Sequence, residues 1–483
     1  MIYSFILLYF FYQENTRIAK RKKNERCNEM GNNQAKTSKG VAFAYAMGSV
    51  GTNISWYIIN NYLNLFYTDI VTLSAGAISL IMVIARVWDA INDPMMGFIV
   101  DRTKSRWGKF RPWLMFAPPF LAVFNILTFT VFPVKGAAKV ILCLVLYIGA
   151  GMSYTAVQVP YTSLLNRLSK DSQARMDYVT ASQVGGSIIQ VLLSMFIMPM
   201  LLFFSNSDAP NAKGFFISVL ICNLIMLPFV WFCARYCKEV VVTEQAKAAA
   251  PRRPIKDSIR DVAKNKYMMM LLFSLFVGCV AVIGRMSVLS YYVIYVMNSY
   301  TLVSVMFTTL TLTQLIGNFF LPIATRKFGK IRWFLILMSA WSIGCIVLHF
   351  IPATNTVAIM VLTAIIGFSA SSAAICFGMM ADCIVYGDFK FGVRDEGFVS
   401  SFQSLSVKLG TAIVGAVAIP ILYAAGYTPG VEQTQATASM ISLVVNVVPG
   451  VLNIIAIIPM FWYKLDEKTV GEMTQQIEER KEA

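Results

Sequence analysis

Two aspartates stand four residues apart in an otherwise apolar stretch, Arg86-Val-Trp-Asp89-Ala-Ile-Asn92-Asp93-Pro94. On a helix that spacing places Asp89 and Asp93 on one face, with Arg86 three residues before Asp89 and Asn92 alongside. Paired carboxylates supported by a carboxamide offer hard oxygen ligands to a small cation, or one of them can hold a proton. A structural ion pair, with Arg86 or Lys408 neutralising an aspartate, is the plainer reading. Two carboxylates on one face exceed what one local Arg needs, which favours the cation site. Neutral polar groups gather in three further apolar runs. Thr52, Asn53, Asn60 and Asn61 accompany Trp56 and Tyr57; Tyr154, Thr155 and Gln158 precede Tyr161; Gln403 and Ser404 lie one turn before Lys408. Carboxamides and hydroxyls suit a hydroxyl-rich ligand and aromatic faces suit the apolar faces of a sugar ring. The alternative is interhelical hydrogen bonding; three clusters together favour a polar cavity.

These residues must be positioned by membrane helices. Of 483 residues, 57% are hydrophobic and only 14% are charged, against about 25% in soluble chains. A soluble enzyme, a disulfide scaffold and a disordered chain are excluded. Cysteines such as Cys143, Cys222, Cys279, Cys345, Cys376 and Cys383 sit in apolar runs, and a single His leaves no zinc-type cluster. Apolar stretches bounded by charge predict twelve spans: 41–66, 75–100, 112–134, 140–165, 179–204, 214–234, 268–296, 301–325, 333–352, 356–385, 399–425 and 438–463.

Basic residues orient them. Of the 41 Lys and Arg, only Lys135, Lys139 and Lys213 fall in loops after odd-numbered spans, and only Arg86, Arg285 and Lys408 fall within spans. Both termini are therefore expected in the cytoplasm. The net charge of +16 reflects topology and requires no nucleic acid. The expected divisions are a leader 1–39, a six-helix bundle 40–234, a cytoplasmic linker 235–267, a second six-helix bundle 268–463 and a cytoplasmic tail 464–483. The apolar run from Met1 to Tyr12 is too short to cross a bilayer, and Met30 begins a more ordinary leader. Trp107-Gly-Lys-Phe-Arg111 after span 2 and Phe328-Gly-Lys-Ile-Arg332 after span 8 echo each other, which points to an internal repeat. Lys408, about 14 Å deep by helical rise, is expected to face a ligand or the aspartates. Arg285 is expected to snorkel near the outer surface, and Asp382 to sit at the inner rim.

Trp88-Asp-Ala-Ile-Asn-Asp-Pro-Met-Met-Gly97, Asp101-Arg102 and Ser105-Arg-Trp-Gly-Lys-Phe-Arg-Pro-Trp113 resemble the signature of the glycoside–pentoside–hexuronide:cation symporters, relatives of the melibiose carrier in the major facilitator superfamily. Phe66-Tyr67-Thr68-Asp69, Ala381-Asp382, Tyr386-Gly387-Asp388-Phe-Lys390, Arg394, Val407-Lys408 and Gly426-Tyr-Thr-Pro429 are also similar. The resemblance runs over all twelve spans. It implies an all-α membrane protein of two six-helix halves with the major facilitator fold, and a bacterial inner-membrane location. Its implied activity is symport of a sugar with Na⁺, Li⁺ or H⁺ by alternating access, as a monomer, with no cofactor, no structural metal and no enzymatic step. Carried across by position, the cation ligands fall on Asp89, Asn92, Asp93 and Thr155. The sugar pocket falls on Asn53, Trp56, Gln158, Thr162, Tyr178, Gln403, Ser404 and Lys408. The chain departs from the melibiose carrier, which has aspartates at Asn53 and Gln158, tryptophans at Thr162 and Ala373, and arginine at Tyr178. Galactoside specificity does not follow. The loop bearing Asp101, Arg102, Arg106, Lys109 and Arg111 is expected either to latch the bundle or to serve only as a topology signal. A lipid or lysolipid carrier of the same superfamily and a non-transporting membrane sensor are the competing readings.

Overall fold

The computed structural model describes residues 39–103, 105–169, 172–239, 264–391 and 396–482, and regular structure among them is helical. The leader before Lys39, most of the linker and Arg394 lie outside the described residues. Six long helices come first: α1 (Lys39–Leu65, prolonged by a π-helical turn Phe66–Ile70), α2 (Ala75–Arg102), α3 (Arg111–Thr128), α4 (Ala137–Leu168), α5 (Ser172–Ser205) and α6 (Ala212–Tyr236). After the linker come α7 (Lys266–Tyr295), α8 (Thr301–Phe328), α9 (Lys330–Phe350), α10 (Thr356–Ser369), α11 (Ser372–Phe391) and α12 (Glu396–Ala424). Then follow α13 (Gln435–Ser442), a π turn (Leu443–Val447), α14 (Val448–Ile457) and, beyond a short 3₁₀ turn, α15 (Glu467–Glu482). Ser74, Asn211, Asn265, Asn355 and Thr434 cap α2, α6, α7, α10 and α13, each accepting the backbone N–H three residues on.

Among the described residues, ten runs are long and apolar enough to cross a membrane. α1 and α3 fall short of that measure. α1 is diluted by Asn53, Asn60, Asn61 and Asn64, while α3 is only 18 residues long and opens on Arg111-Pro112. Several boundaries differ from the sequence expectation, among them the start of α5 at Ser172 instead of 179. α3 stops at Thr128 instead of reaching 134, and the expected tenth span is two helices separated at Ala370 and Ser371. At that break Ser371 turns its hydroxyl onto the Phe368 carbonyl (2.8 Å), a side-chain competitor for the helix ladder. The same carbonyl lies against Gly317, where a Cβ would come within 2.7 Å of it.

α1 packs on α5 and α6, α2 on α4, and α3 on α4 and α6; α7 packs on α12 and α14, α8 on α10, and α9 on α10 and α14. The two groups meet through α2–α12, α5–α8 and α1–α7. The repeated loop motif has a structural counterpart. Gly108 and Gly329 both have positive φ, 106° and 80°, a conformation glycine adopts without strain, and α3 and α9 start within three residues of them. Buried asparagines pin each group. Asn125 donates to Ser55 Oγ (2.6 Å) and Asn223 Oδ1 (3.1 Å), joining α3, α1 and α6; Asn453 donates to Ser342 Oγ (2.9 Å) and the Met338 carbonyl (3.0 Å), joining α14 and α9.

One charged residue is placed otherwise than expected. Arg285 does not snorkel: it is 0% exposed, with Nη2 donating to Asn446 Oδ1 (3.4 Å) on the π turn before α14, while Nε and Nη1 lack a protein partner. Asp382, expected at the inner rim, is 8% exposed and takes Lys330 Nζ, at the start of α9, on both oxygens (3.0 and 2.8 Å).

Candidate functional site

α2 carries both aspartates, running unbroken through Pro94. Asp89 Oδ2 accepts from Arg86 Nη1 (3.3 Å), and Arg86 Nη2 reaches the Tyr147 hydroxyl on α4 (3.3 Å). Asp93 is shared more widely. Its Oδ1 accepts from Thr155 Oγ1 on α4 (3.1 Å), and its Oδ2 pairs with Lys408 Nζ on α12, 315 residues away. α4 comes close because position 151 is glycine: a Cβ there would lie 3.2 Å from Asp89 Oδ1. Asn92 is 2% exposed and its Nδ2 has no protein partner; the Trp88 indole N–H is likewise unpartnered. Two carboxylates and two basic side chains thus form one cluster of balanced charge, with Asp93 and Lys408 side chains 32% and 43% exposed. A carboxylate held by a hydroxyl and an ammonium offers an incoming cation a ready oxygen set, provided the ammonium leaves.

Next to Thr155 on α4, Tyr154 stacks on Trp56 of α1, ring centroids 4.3 Å apart at 23°. Asn53, one turn from Trp56 on α1, donates to the Ser49 carbonyl (2.8 Å) and accepts from Gln190 Nε2 on α5 (2.8 Å). Gln158 Oε1 is buried without a partner. Thr162 is exposed and donates back to the Gln158 and Val159 carbonyls (3.0 and 3.1 Å), whereas Tyr178 is 4% exposed. Gln403 and Ser404 lie on α12, outside the residues whose side chains are described.

At the end bearing the basic loops, Glu239 gathers the loop after α2. Its carboxylate accepts from the backbone N–H groups of Lys109 (3.0 Å), Phe110 (2.8 Å) and Arg111 (3.3 Å). Arg111 Nε also caps α6 through the Ala234 carbonyl (2.7 Å). Arg102 and Arg106 lie over the Phe98 and Trp107 rings, 3.8 and 4.9 Å from the centroids. The Asp101 side chain is outside the described set.

At the opposite end, Asp69 on the π turn after α1 accepts from Tyr295 of α7 (2.5 Å), Tyr427 in the α12–α13 loop (2.5 Å) and Thr68 (2.7 Å). Thr68 Oγ1 also meets the Tyr291 hydroxyl (2.9 Å). On neighbouring helices Ser194 of α5 bonds Thr308 (3.2 Å) and Thr311 (3.1 Å) of α8, and Ser79 of α2 donates to the Ala416 carbonyl of α12 (2.6 Å). The aromatic partners of Asp69 are a feature that sequence reading missed. They come from α7 and from a loop more than 350 residues distant, so no local spacing signals them. Tyr147 and Gln190 escaped for a related reason, since each meets its partner, Arg86 or Asn53, on another helix.

A family described as MFS/sugar transport protein matches residues 44–467. The isoprimeverose transporter of Lactiplantibacillus pentosus is 32% identical over 441 residues, 91% of each chain. The glucuronide carrier protein homolog of Escherichia coli K12 is 28% identical over 444 residues, covering 90% of this chain and 95% of its own. Among solved structures, the nucleoside transporter NupG superposes with TM-score 0.64 at 11% identity, over 88% of this chain and 99% of its own. The inward open xylose transporter XylE of E. coli does so with TM-score 0.61 at 12% identity, over 90% and 99%. At those identities the likeness shows the fold: an all-α, multi-pass membrane protein of the major facilitator type.

Proposed function

We propose, from the premise that this chain belongs to the MFS/sugar transport protein family, that it carries a sugar inward together with Na⁺, Li⁺ or H⁺. The observation that carries this reading is Asp93, held at once by Thr155 of α4 and Lys408 of α12. A carboxylate bridging the helices before and after the linker is where ion occupancy can change how two six-helix halves meet. In this reading all twelve spans cross the bilayer, with the basic loops and both termini in the cytoplasm.

The ion is a co-transported substrate. It enters beside Asp89, Asn92, Asp93 and Thr155 and takes the place of the Lys408 ammonium on Asp93. That exchange keeps one positive charge on the carboxylate and frees Lys408 toward the adjoining cavity, where Trp56 and Tyr154 present an aromatic face and Gln158 an unpaired carbonyl oxygen. Sugar binding follows more readily, because the cationic side chain no longer needs Asp93. Asp69 with Tyr295 and Tyr427, and Ser194 with Thr308 and Thr311, close the outer side in this state. Release of that latch lets the halves rock about the occupied site. The loop gathered by Glu239 supports the cytoplasmic end of the first half.

The relatives direct the choice of cargo to glycosides, pentosides and hexuronides. The test is uptake into right-side-out vesicles of labelled isoprimeverose, methyl β-xyloside, melibiose and a methyl glucuronide, under an imposed Na⁺ gradient and separately under an H⁺ gradient. Accumulation of one sugar driven by one gradient is the expected result; equal, gradient-independent uptake of every sugar would overturn coupling.

A further inference from the structure

Gly186, Gln190 and Ser194 recur at four-residue intervals along α5 and therefore share a face. Gly186 lies against α1, where a Cβ would come within 2.9 Å of Ser49 Oγ and 3.1 Å of Asn53 Nδ2. Ser194, fully buried, joins α8 through Thr308 and Thr311. The stripe therefore looks into the space between the helices before and after the linker, and Gln190 is exposed on it. Gln190 stands one turn before the Ser194 contact with α8.

Its partner Asn53 has little left to offer a ligand. A carboxamide has two N–H donors and two acceptor lone pairs. Asn53 Nδ2 is engaged by the Ser49 carbonyl (2.8 Å) and Ser49 Oγ (3.3 Å), and Oδ1 takes Gln190 Nε2 (2.8 Å). Gln190 spends one N–H on that bond and retains a second N–H and its carbonyl oxygen. A donor and an acceptor side by side on a planar amide match two neighbouring hydroxyls of a sugar ring.

We propose that Gln190 is a sugar-contacting, specificity-determining residue that pairs with adjacent hydroxyls, and that Asn53 is the residue that positions it. The proposal rests on the sugar-transport reading above. It also explains why a carboxamide stands at 53. The Ser49 carbonyl faces Nδ2, and a carboxylate oxygen there would set two acceptors against each other, so Asn53→Asp turns the group and releases Gln190.

The first measurement is cysteine accessibility. Gln190→Cys is labelled with a membrane-impermeant methanethiosulfonate in right-side-out and inverted vesicles, with unsubstituted protein as reference for the native thiols. Isoprimeverose, methyl β-xyloside and a methyl glucuronide are added in turn at millimolar concentration. Labelling in at least one vesicle orientation, slowed by one of these sugars, is expected. No labelling above the reference, or labelling that no sugar slows, overturns the proposal. Protection read in this way does not need coupled uptake, so a failure of ion coupling leaves a different signature: protection intact, gradient effect absent.

The second measurement is kinetic, on the protecting sugar. Gln190→Ala should raise KM about tenfold, as loss of two neutral hydrogen bonds implies, with the ion concentration for half-maximal activation unchanged. Asn53→Ala should raise KM by less, and the double variant no further than Gln190→Ala alone, because the two act through one contact. An unchanged KM for Gln190→Ala would place Gln190 outside recognition, and independent, additive effects of the two substitutions would overturn the positioning role of Asn53.

Discussion

Asp93 takes a hydroxyl from α4 and an ammonium from α12, so any substitution there changes two helix contacts together. Asp93→Cys is expected to abolish gradient-driven sugar uptake while leaving the protein in the membrane at normal abundance; full retention of concentrative uptake would remove the cation from this position. Thr155→Ala probes the same oxygen set more gently. A hydrogen bond to a charged group contributes about 1.5–3 kcal/mol, so the ion concentration for half-maximal activation should rise by about tenfold or more. KM for sugar at saturating ion should stay within about twofold if Thr155 serves the ion alone. These residue types were legible in the sequence because charge within an apolar run is conspicuous. The partnership of Lys408 with Asp93 specifically, and not Asp89, depends on how α12 is set against α2, which no spacing records. Arg285 shows the limit of the same logic. Its distance along α7 suggested the surface, but burial depends on which face α9 and the segment around Asn446 cover.

That covered face has a consequence for the second group of helices. Arg285 is buried with two of its three guanidinium nitrogens lacking a protein partner, and Asn446 is the acceptor that remains. Removing a neutral acceptor from a buried charge costs about 1.5–3 kcal/mol, whereas replacing buried charge by apolar groups of similar volume is often neutral or stabilising. Asn446→Leu is expected to lower the thermal midpoint of the detergent-solubilised protein, and Arg285→Met to restore it in the double variant. A midpoint that falls further in the double variant would show that Arg285 has other support. The element joining α1, α7 and the α12–α13 loop obeys a similar argument. Burial, with the Asp69 carboxylate beside it, pushes the Tyr427 phenol up. A raised value keeps the donor protonated, so its contribution is complete below the ordinary tyrosine range near pH 10 and is lost only as pH climbs through the elevated value. Tyr427→Phe removes the donor at any pH. Loss of one hydrogen bond to a charged group shifts the balance between closed and open outer ends by about tenfold or more, read as faster labelling, from outside, of a cysteine placed at Gln190. Unchanged labelling would mean that the Tyr295–Asp69 and Ser194–Thr308 and Thr311 bonds and the aromatic contacts among Tyr291, Tyr295 and Tyr427 hold the end shut without that donor. Most helices themselves were readable, because apolar length is a local property. The split of the tenth expected span was not, since it arises where the α8 backbone at Gly317 crowds Phe368.

Over the whole molecule, the placement of charge determines what coupling can mean. The cluster of Arg86, Asp89, Asp93 and Lys408 is balanced before any ion arrives, so an added cation must displace a positive side chain or leave the cluster with an excess charge in a poorly solvated place. In the proposed cycle, displacement of Lys408 links the ion to the helices of the second group, and through them to Trp56, Tyr154 and Gln158. Linkage then imposes a quantitative constraint: if Na⁺ tightens sugar binding by some factor, sugar must tighten Na⁺ binding by the same factor. Calorimetric titration of the purified protein with the transported sugar, with and without Na⁺, and with Na⁺, with and without sugar, should return equal ratios. Factors of about 5–150 are typical of such coupling. Lys408→Met tests whether the displaced ammonium carries it. Without the competitor, Asp93 should bind Na⁺ more readily and the ratio should collapse toward one, although each ligand still binds. A ratio that survives in Lys408→Met would route coupling through Thr155 and α4 within the first six helices, and Lys408 would then be a contact between the halves and not the messenger between ion and sugar.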